Sequence, residues 1–455
     1  MQILNFRVKN HKSLRDETAL ELLDSSLTTL KPSANKTWAQ YVHTVAGIFG
    51  ANASGKSNLL DALRYFVTAL KESSASWQNA KVFPHKSFKL ESTSRNSESV
   101  YELDFLLDNV RYRYRFGTSS SGITFEHLEN LPNSRWRTIF TRECTKDAET
   151  ITFARGVKKF EVSRRELVLS RAATLKRNDL LHTVTDAIIG KIDFILLSEN
   201  DRKLRINAIT DALAEASITS DEIAQLLQVA DIGIQKVDIW QSEDDFDMDN
   251  PPQDIPRSVQ RVAQQVLRRI IATGQDSEDD SDDSTKPIAR IIQRRLEFYH
   301  HSSSHDAPAL YLTDESDGTL AWLATSVAVL EALRNGGVVC GDELDSSLHP
   351  HLVRLLIGLF TDPSINTRGA QLIFTTHDAT LLHRQEELGL IPENIWFTEK
   401  NREGVTELFS LADFPREKGA NIEKRYLAGL YGAVPLTVGS IFRTLVENFP
   451  SHNGS

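Results

Sequence analysis

The stretch Gly47–Phe66 reads GIFGANASGKSNLLDALRYF and contains the pattern Gly-x-x-x-x-Gly-Lys-Ser over residues 50–57. An apolar run that begins at Val45 precedes the pattern, and apolar residues follow it at positions 59, 60, 63, 66, 67 and 70. Apolar side chains at this spacing share one face of a helix, whereas a short continuous apolar run is typical of a buried strand. The stretch therefore predicts a strand, a tight loop and a helix in direct succession.

The residue types of this loop fit the binding of a triphosphate. Glycines at 50 and 55 permit backbone conformations in which consecutive N–H groups point at phosphate oxygens, assisted by the positive end of the following helix. Lys56 would reach the β- and γ-phosphates, and the Ser57 hydroxyl would be a Mg²⁺ ligand. A chance match is the alternative, and the flanking strand and helix weaken it. The residues predicted to bind nucleotide are Gly50, Asn52, Ala53, Ser54, Gly55, Lys56, Ser57 and Asn58.

Two later segments provide groups that such a loop requires for hydrolysis. The segment VVCGDELDSSLHP (338–350) is an apolar run that ends at Asp342 and Glu343. Asp342 is predicted to hold Mg²⁺, and Glu343 to be the general base that activates water. In QLIFTTHDATLL (371–382), His377 follows a second apolar run, where α/β sheets bind ligands, and is predicted to bond the γ-phosphate. A surface turn for the acidic pair and an ordinary half-buried histidine are the alternatives.

Composition limits the classes of protein that remain. The 455 residues exceed one ordinary core, so two or three structural units are expected. Cys144 and Cys340 are far apart and lack a partner at metal-ligand spacing, so neither a disulfide framework nor a zinc site is expected. No apolar run reaches membrane-span length and the first residues lack a secretion signal, so we expect a cytoplasmic protein without a membrane partner. The net charge of −10 leaves DNA binding open.

The chain is predicted to divide into four regions. Residues 1–150 form an N-terminal lobe with the phosphate loop and an antiparallel β patch, and residues 306–415 form a C-terminal α/β lobe that starts with a short strand, ALYLT. Residues 151–305 are predicted to be a mainly helical insertion, in which the acidic segment 273–287 is mobile because it has almost nothing to bury. Residues 416–455 form a C-terminal extension.

Two polar clusters within the insertion permit other functions. A set of basic residues is predicted to lie on a helix, where it forms either a solvated face or a groove for DNA or a partner; its members are Arg164, Arg165, Arg171, Lys176 and Arg177. A second set, His300, His301, His305 and Asp306, would hold a metal if the chain carried its own nuclease. We disfavour the nuclease, because this segment reads as a polar linker without a second acidic cluster.

The motifs GANASGKSN, GDELDSSLHP and FTTHD, in this order, resemble the ATPase heads of the ABC superfamily. The chain is most similar to the RecF/SMC-like and RloA/AbiLii-type AAA family ATP-binding proteins of bacterial antiphage defence, and the resemblance covers most of its length. It implies an α/β P-loop NTPase fold with an ABC-ATPase-like head, an antiparallel β subdomain and a helical insertion. It also implies that Ser316 and Gly318 form a signature loop acting on a second copy, and that Asp345 lies in the D-loop. An ordinary helix cap is the alternative for Ser316.

These observations lead to two hypotheses for the function. The first is Mg²⁺-dependent ATP hydrolysis in a head-to-tail homodimer or higher homo-oligomer, because one P-loop and one signature loop per chain do not complete a shared site. This switch would control a separate effector, possibly RloB-like or a nuclease, in antiphage defence. The alternative is an ATP-gated DNA-binding clamp in repair or recombination, which the basic cluster suggests.

Overall fold

The computed structural model describes residues 1–145, 148–175, 179–196, 198–230, 233–246, 289–302, 308–383, 385–415, 419–434 and 445. The chain forms two compact units. The first combines Met1–Ser198 with Ala328–Ser455, and the second is Glu199–Val327.

The described strands and helices are as follows. The strands are β1 (Gln2–Lys9), β2 (Thr18–Glu21), β3 (Val45–Gly50), β4 (Ser99–Leu107), β5 (Val110–Ser119), β6 (Gly122–Leu131), β7 (Arg137–Cys144), β8 (Glu149–Phe153), β9 (Ile192–Ile195), β10 (Ile234–Phe246), β11 (Ala289–His300), β12 (Val338–Gly341), β13 (Gln371–Thr376), β14 (Ile395–Lys400) and β15 (Thr406–Ser410). The helices are α1 (Lys56–Glu72), α2 (Ser92–Asn96), α3 (Val168–Thr174), α4 (Leu180–Lys191), α5 (Glu199–Ala214), α6 (Ser220–Val229), α7 (Asp317–Asn335), α8 (Leu344–Ser347), α9 (Pro350–Thr361), α10 (Thr380–His383) and α11 (Ile422–Leu427).

A largely parallel sheet of the first unit brings the predicted motifs to one edge. Its strand order is β15-β14-β3-β13-β12-β9, and β3, β9, β12, β13 and β14 run parallel to one another. The phosphate loop follows β3, the acidic pair follows β12 and His377 follows β13. Because parallel strands end at the same edge, the three motifs converge there.

The antiparallel sheet of the first unit has the strand order β2-β1-β4-β5-β6-β7-β8. Strand β5 shows how the sequence produces it: Tyr112, Tyr114 and Phe116 alternate with arginines, and the three aromatic side chains are buried. Phe66 of α1 packs on this face, with its ring centroid 5.2 Å from that of Phe116. Apolar residues of α1 share one core with residues of both sheets, including Ile48 of β3. The antiparallel patch predicted within 1–150 is confirmed.

The second unit contains the antiparallel pair β10–β11 together with α5, α6 and the start of α7. Val237 of β10 and Phe298 of β11 are fully buried. The Trp322 indole donates a hydrogen bond of 2.7 Å to the Leu226 carbonyl, which connects α7 to α6. The described part of the insertion thus contains a strand pair that the prediction of a mainly helical insertion did not include. The two strands pair across a long stretch of chain, so no short hairpin pattern indicates β11.

The division of the chain differs from the predicted one. The sequence places the boundaries of the insertion at 151 and 305, whereas the second unit runs from Glu199 to Val327. The residues before Glu199 belong to the first unit because α3 and α4 pack on α1 and because β9 pairs with β12. The acidic segment 273–287 lies outside the described residues, as does most of the 416–455 extension.

Three local predictions are wrong. Residues 155–235 were expected to be mainly helical, but residues 155–167 contain no helix, since α3 begins at Val168. Strand β9 was expected to be helix. A run of four residues, Ile192–Ile195, is too short for its apolar spacing to distinguish a strand from a helix. The segment ALYLT forms only an isolated bridge between Leu310 and Phe298 in place of a strand.

Candidate nucleotide site

The phosphate loop has the backbone that its glycines predict. Gly50 and Gly55 have φ angles of 158° and 113°. A Cβ atom on Gly50 would lie 2.5 Å from Thr398 Oγ1, and one on Gly55 would lie 2.7 Å from Thr406 Cγ2. Both positions therefore exclude a side chain for steric reasons as well as for conformational ones. Ala53 at the exposed tip has a φ of 62°, so the loop turns sharply before α1 begins.

A chain of buried hydroxyl groups holds the loop from behind. Ser54 Oγ lies 2.6 Å from Thr398 Oγ1, and Thr406 Oγ1 donates to the Ser54 carbonyl at 2.8 Å. Ser13 Oγ lies 2.7 Å from Thr406 Oγ1 and accepts a hydrogen bond of 2.6 Å from the Asn58 side chain. These protein contacts alone fix the loop to β14, to β15 and to the turn after β1.

Lys56 is the first residue of α1 and is only 4% exposed. Its Nζ donates to the carbonyls of Gly50 and Ala51 at 2.8 and 3.1 Å and lies 3.2 Å from His377 Nδ1. These three partners match the three protons of an ammonium group. The lysine is thus held inside the loop, with each of its protons directed to a protein acceptor.

His377 connects Lys56 to the acidic residues. Since an ammonium group only donates, Nδ1 accepts from Lys56, and the proton lies on Nε2, which is 3.2 Å from Glu343 Oε1. The His377 backbone N–H donates to Asp345 Oδ2 at 3.1 Å. Burial lowers the pKa of Lys56, and the carboxylates of Glu343, Asp345 and Asp342 oppose that effect. The site therefore joins a cation, an imidazole and carboxylates within hydrogen-bond distance of one another.

The acidic pair reaches one side of the sheet edge through an unusual backbone. Glu343 has a φ of 49°, a left-handed conformation that costs roughly 1–2 kcal/mol for a residue with a side chain. In an extended strand, Asp342 and Glu343 would point to opposite faces. Thr375 Oγ1 donates to Asp342 Oδ1 at 2.7 Å and accepts from the Glu343 N–H at 2.7 Å. The left-handed turn at Glu343 thus ends the strand alternation directly after Asp342.

The donors at this edge fit Mg²⁺ and a nucleotide. Ser57 and Asp342 offer hard oxygen ligands of the kind Mg²⁺ prefers, and both are half-exposed. The loop backbone, which excludes a Cβ at Gly50 and Gly55, fits phosphate groups. Within the described residues no cluster of three or more His, Cys, Asp or Glu side chains forms a metal cage. A Mg²⁺ ion that retains waters and shares the phosphates needs no such cage.

Comparison with known proteins places the chain in a family. The family model described as "AAA domain, putative AbiEii toxin, Type IV TA system" matches residues 45–383, which is most of the chain. The chain belongs to this AAA-domain family. It is an ATP-binding protein with an α/β P-loop NTPase fold, as the sequence predicts. The RloA/AbiLii subtype is not distinguished by this match.

Two further comparisons add no family assignment. A search of curated proteins finds no match. Among solved structures, the AAA-domain protein is similar to "Structure of the recombination mediator protein RecF-ATP in RecFOR pathway", with 12% identity, 90% of this chain and 97% of the other covered, and a TM-score of 0.38. In the described part of the AAA-domain protein, no helix is both long and apolar enough to span a membrane.

The predicted signature residues Ser316 and Gly318 belong to the second unit of the AAA-domain protein. Ser316 Oγ accepts a hydrogen bond of 3.1 Å from the Thr319 N–H, so it caps α7. Asp317 pairs with Arg202 at 2.7 Å. A Cβ on Gly318 would meet only Ser316 Oγ, at 3.7 Å. The helix-cap interpretation describes Ser316 in the single chain, and action on a second copy stays a prediction.

The basic cluster does not form one helical face. Arg164 and Arg165 precede α3, and they donate to the carbonyls of Thr145 and Ala80 at 2.9 and 2.8 Å. Arg171 lies on α3, and Lys176 and Arg177 are outside the described residues. At least two of these arginines therefore bind backbone of the AAA-domain protein itself.

The histidine cluster is also divided. His300 Nε2 lies 2.6 Å from Glu315 Oε1, whereas the His301 ring lies 2.7 Å from Gln235 Nε2. His305 and Asp306 are outside the described residues. The segment was expected to be a linker, but His300 is the last residue of β11. The described pair gives no support to a metal site in the AAA-domain protein.

The sequence argument missed four residues that support the site: Ser13, Thr375, Thr398 and Thr406. Thr375 lies in the motif FTTHD, two residues before His377, and this position was the only signal available for it. Thr398 and Thr406 meet Ser54 across more than 300 residues of chain, so no local pattern reveals them.

Proposed function

We propose that the chain hydrolyses Mg·ATP in a site completed by a second copy, and that this reaction is a switch controlling a partner protein. The observation that carries the proposal is the continuous contact from Lys56 through His377 to Glu343 at the edge of the parallel sheet. It joins a cation for phosphate, a neutral imidazole and a carboxylate base in one array, which is what phosphoryl transfer to water requires.

Each residue has a role that follows from its contacts. Lys56 would turn from His377 toward the β- and γ-phosphates, which offer stronger acceptors than an imidazole nitrogen. Ser57 and Asp342 would hold Mg²⁺, which neutralises charge on the phosphates when it is bound. His377 would keep Glu343 in place through Nε2, and a bond from Nδ1 to the γ-phosphate would require that nitrogen to gain a proton once Lys56 has turned away. Glu343 would take a proton from the attacking water.

The need for a second copy rests on the signature loop. Ser316 and Gly318 open α7, where backbone N–H groups at a helix N-terminus attract anions. The resemblance to ABC-type heads supports their action on nucleotide held by another chain, with Asp345 of the D-loop near the shared boundary. Head-to-tail pairing of two copies places one signature loop at each phosphate loop.

The partner and the pathway are supported by the family description, which names a toxin of a toxin–antitoxin system. A role of this kind fits a nucleotide switch of the RloA/AbiLii type that acts on a separate effector, RloB-like or a nuclease, in antiphage defence. The DNA clamp is the weaker candidate, because Arg164 and Arg165 are engaged by backbone carbonyls.

The substitution Glu343→Gln tests the role of the base. Glutamine keeps the size and can still bond His377, but it takes no proton. We expect turnover to fall by about 10²–10⁴-fold while ATP is retained. Glu423→Gln, which removes a surface carboxylate paired with His383, is the matched control and should leave turnover unchanged. Turnover of the Glu343→Gln protein equal to wild type would contradict the proposal.

A further inference from the structure

We propose that Thr375 is the positioning residue that sets Asp342 and Glu343 for metal binding and for catalysis. The inference rests on the proposed function, which assigns Mg²⁺ binding to Asp342 and the activation of water to Glu343. It goes beyond that function because it assigns the placement of both residues to one buried hydroxyl group on a neighbouring strand.

Two contacts use the only proton of the Thr375 hydroxyl and one of its two acceptor lone pairs. A hydroxyl has one proton to donate, and a carboxylate only accepts, so the proton goes to Asp342 Oδ1 at 2.7 Å. A backbone N–H only donates, so Thr375 Oγ1 accepts from Glu343 at 2.7 Å. One atom therefore fixes the side chain of the first acidic residue and the backbone of the second.

The strand register explains why this residue has that position. Thr375 is the fifth of the six residues of β13 and pairs with Ile48 of β3. On the other side, Phe374 pairs with Gly341, so Asp342 follows directly beside Thr375. Thr375 is fully buried between these two strands. Because Thr375 is buried, water has little access to take the place of its hydroxyl in these two hydrogen bonds.

The hydrogen bond from Glu343 to Thr375 is made by a residue with an unfavourable backbone conformation. Glu343 is in the left-handed region, with a φ of 49°. Without Thr375 its N–H would lose this acceptor, and the turn would relax toward the extended conformation that sends the carboxylate to the other face. The neighbouring Thr376, also buried, accepts from Asp378 N–H at 3.0 Å and contacts neither acidic residue in the hydrogen bonds described.

The test compares the Mg²⁺ concentration needed for half-maximal binding of a fluorescent, non-hydrolysable ATP analogue. Thr375→Val keeps the shape and removes the hydroxyl. Loss of a group that orients a metal ligand typically costs about 10–100-fold in metal affinity, and we expect a shift in this range. Thr375→Ser keeps the hydroxyl and should shift the concentration by less than about threefold. Thr185→Val removes an equally buried hydroxyl with two hydrogen bonds in α4, and should change nothing.

If Thr375 affects Mg²⁺ binding through Asp342, its substitution should have little further effect once Asp342 is changed. In an Asp342→Asn background, Thr375→Val should weaken Mg²⁺-dependent binding by less than about twofold more, since the two residues act as one unit. Analogue binding in EDTA, with circular dichroism, shows that each variant is folded. If the valine variant does not fold, Thr375→Cys, with a weaker donor, replaces it and should show a smaller shift in the same direction.

The outcomes separate this inference from the proposed function. A valine or cysteine variant that matches wild type, a serine variant as impaired as valine, or a full effect in the Asp342→Asn background would each overturn it. A wild-type chain that binds the analogue with Mg²⁺ but hydrolyses no ATP would contradict the proposed function alone, because the comparison of Mg²⁺ concentrations does not depend on turnover.

Discussion

Lys56 Nζ lies 3.2 Å from His377 Nδ1, and both residues are at the carboxyl edge of the parallel sheet: Lys56 begins α1 after the loop that follows β3, and His377 follows β13. The contact joins residues 321 positions apart in sequence. If the proposed roles are right, the cation for the phosphates and the imidazole for the γ-phosphate lie side by side before a ligand arrives. Substitutions of the two residues should therefore have different consequences.

Lys56→Met should abolish tight nucleotide binding. Methionine keeps the length of the side chain but cannot donate to phosphate, and charged hydrogen bonds contribute roughly 1.5–3 kcal/mol each. We expect ATP affinity to fall by at least about tenfold, measured by calorimetry.

His377→Asn, in contrast, should leave ATP affinity within about threefold of wild type and lower turnover by about 10²-fold, as for loss of a group acting mainly in the transition state. Equal affinity losses in both variants would contradict this division of roles.

Gly55→Ala should unfold the phosphate loop. The φ of 113° is unfavourable for alanine, and its Cβ would lie 2.7 Å from Thr406 Cγ2. We expect a loss of ATP binding and a lower melting temperature. Gly190→Ala is the matched control, because Gly190 lies in α4 with nothing within 4 Å of its added Cβ. It should stabilise the protein by about 0.5–1 kcal/mol, and a Gly55 variant as stable as this control would refute the steric argument.

Arg142 and Glu126 form an ion pair of 3.6 Å in which neither side chain is exposed. Glu126 also accepts from Tyr114 Oη and from the Val168 N–H at the start of α3. Arg142→Met leaves a buried carboxylate without its cation and should lower the free energy of unfolding by about 3–5 kcal/mol in urea titrations. For Arg115→Met, whose partner Glu102 lies 3.7 Å away on a more exposed surface, we expect less than about 1 kcal/mol.

His11 makes the stability of the first unit depend on pH. It is fully buried between Asp61 and Tyr101, and burial lowers its pKa, although the hydrogen bond to Asp61 opposes the shift. Because the folded pKa lies below the unfolded one, the unfolded chain binds the proton first as pH falls. The stability is complete above the unfolded pKa of about 6.5 and is lost as pH decreases below it.

The measurement is the free energy of unfolding of wild type and His11→Gln, from urea titrations between neutral and mildly acidic pH. We expect the wild-type curve to fall more steeply, by at most about 1.4 kcal/mol per pH unit for one proton. His182→Gln is the control, since His182 is a partly exposed residue of α4 paired with Asp186. Parallel curves for wild type and His11→Gln would exclude His11 as the source of the pH dependence.

The sequence predicted the elements that carry strong local signals. β3, α1, β12, β13 and β14 have the apolar runs or helical spacing of their type, and the motifs that follow three of them converge because the strands are parallel. Strand β9 was missed since its four residues follow α4 directly and are apolar in a way that fits either structure. β11 was missed because its partner β10 is about 50 residues earlier in the chain.

The candidate site shows the same division between local and long-range signals. Residues of contiguous motifs, such as Lys56, Asp342 and His377, have a local pattern that indicates a chemical role. Their supports do not: Thr406 bonds the Ser54 carbonyl across 352 positions, and the left-handed turn at Glu343 is set by Thr375 on another strand. Both depend on the assembled sheet, which single-sequence patterns do not specify.

The direct test of the central claim is to mix two inactive variants and measure ATP turnover. Lys56→Met lacks a working phosphate loop, and Ser316→Arg blocks the signature loop. If each site uses Lys56 of one copy and Ser316 of the other, mixed dimers contain one intact site. Random pairing then restores about a quarter of the wild-type rate, and the rate per chain rises with protein concentration. A mixture as inactive as its components, or a wild-type rate per chain independent of concentration in a strictly monomeric sample, would contradict the account.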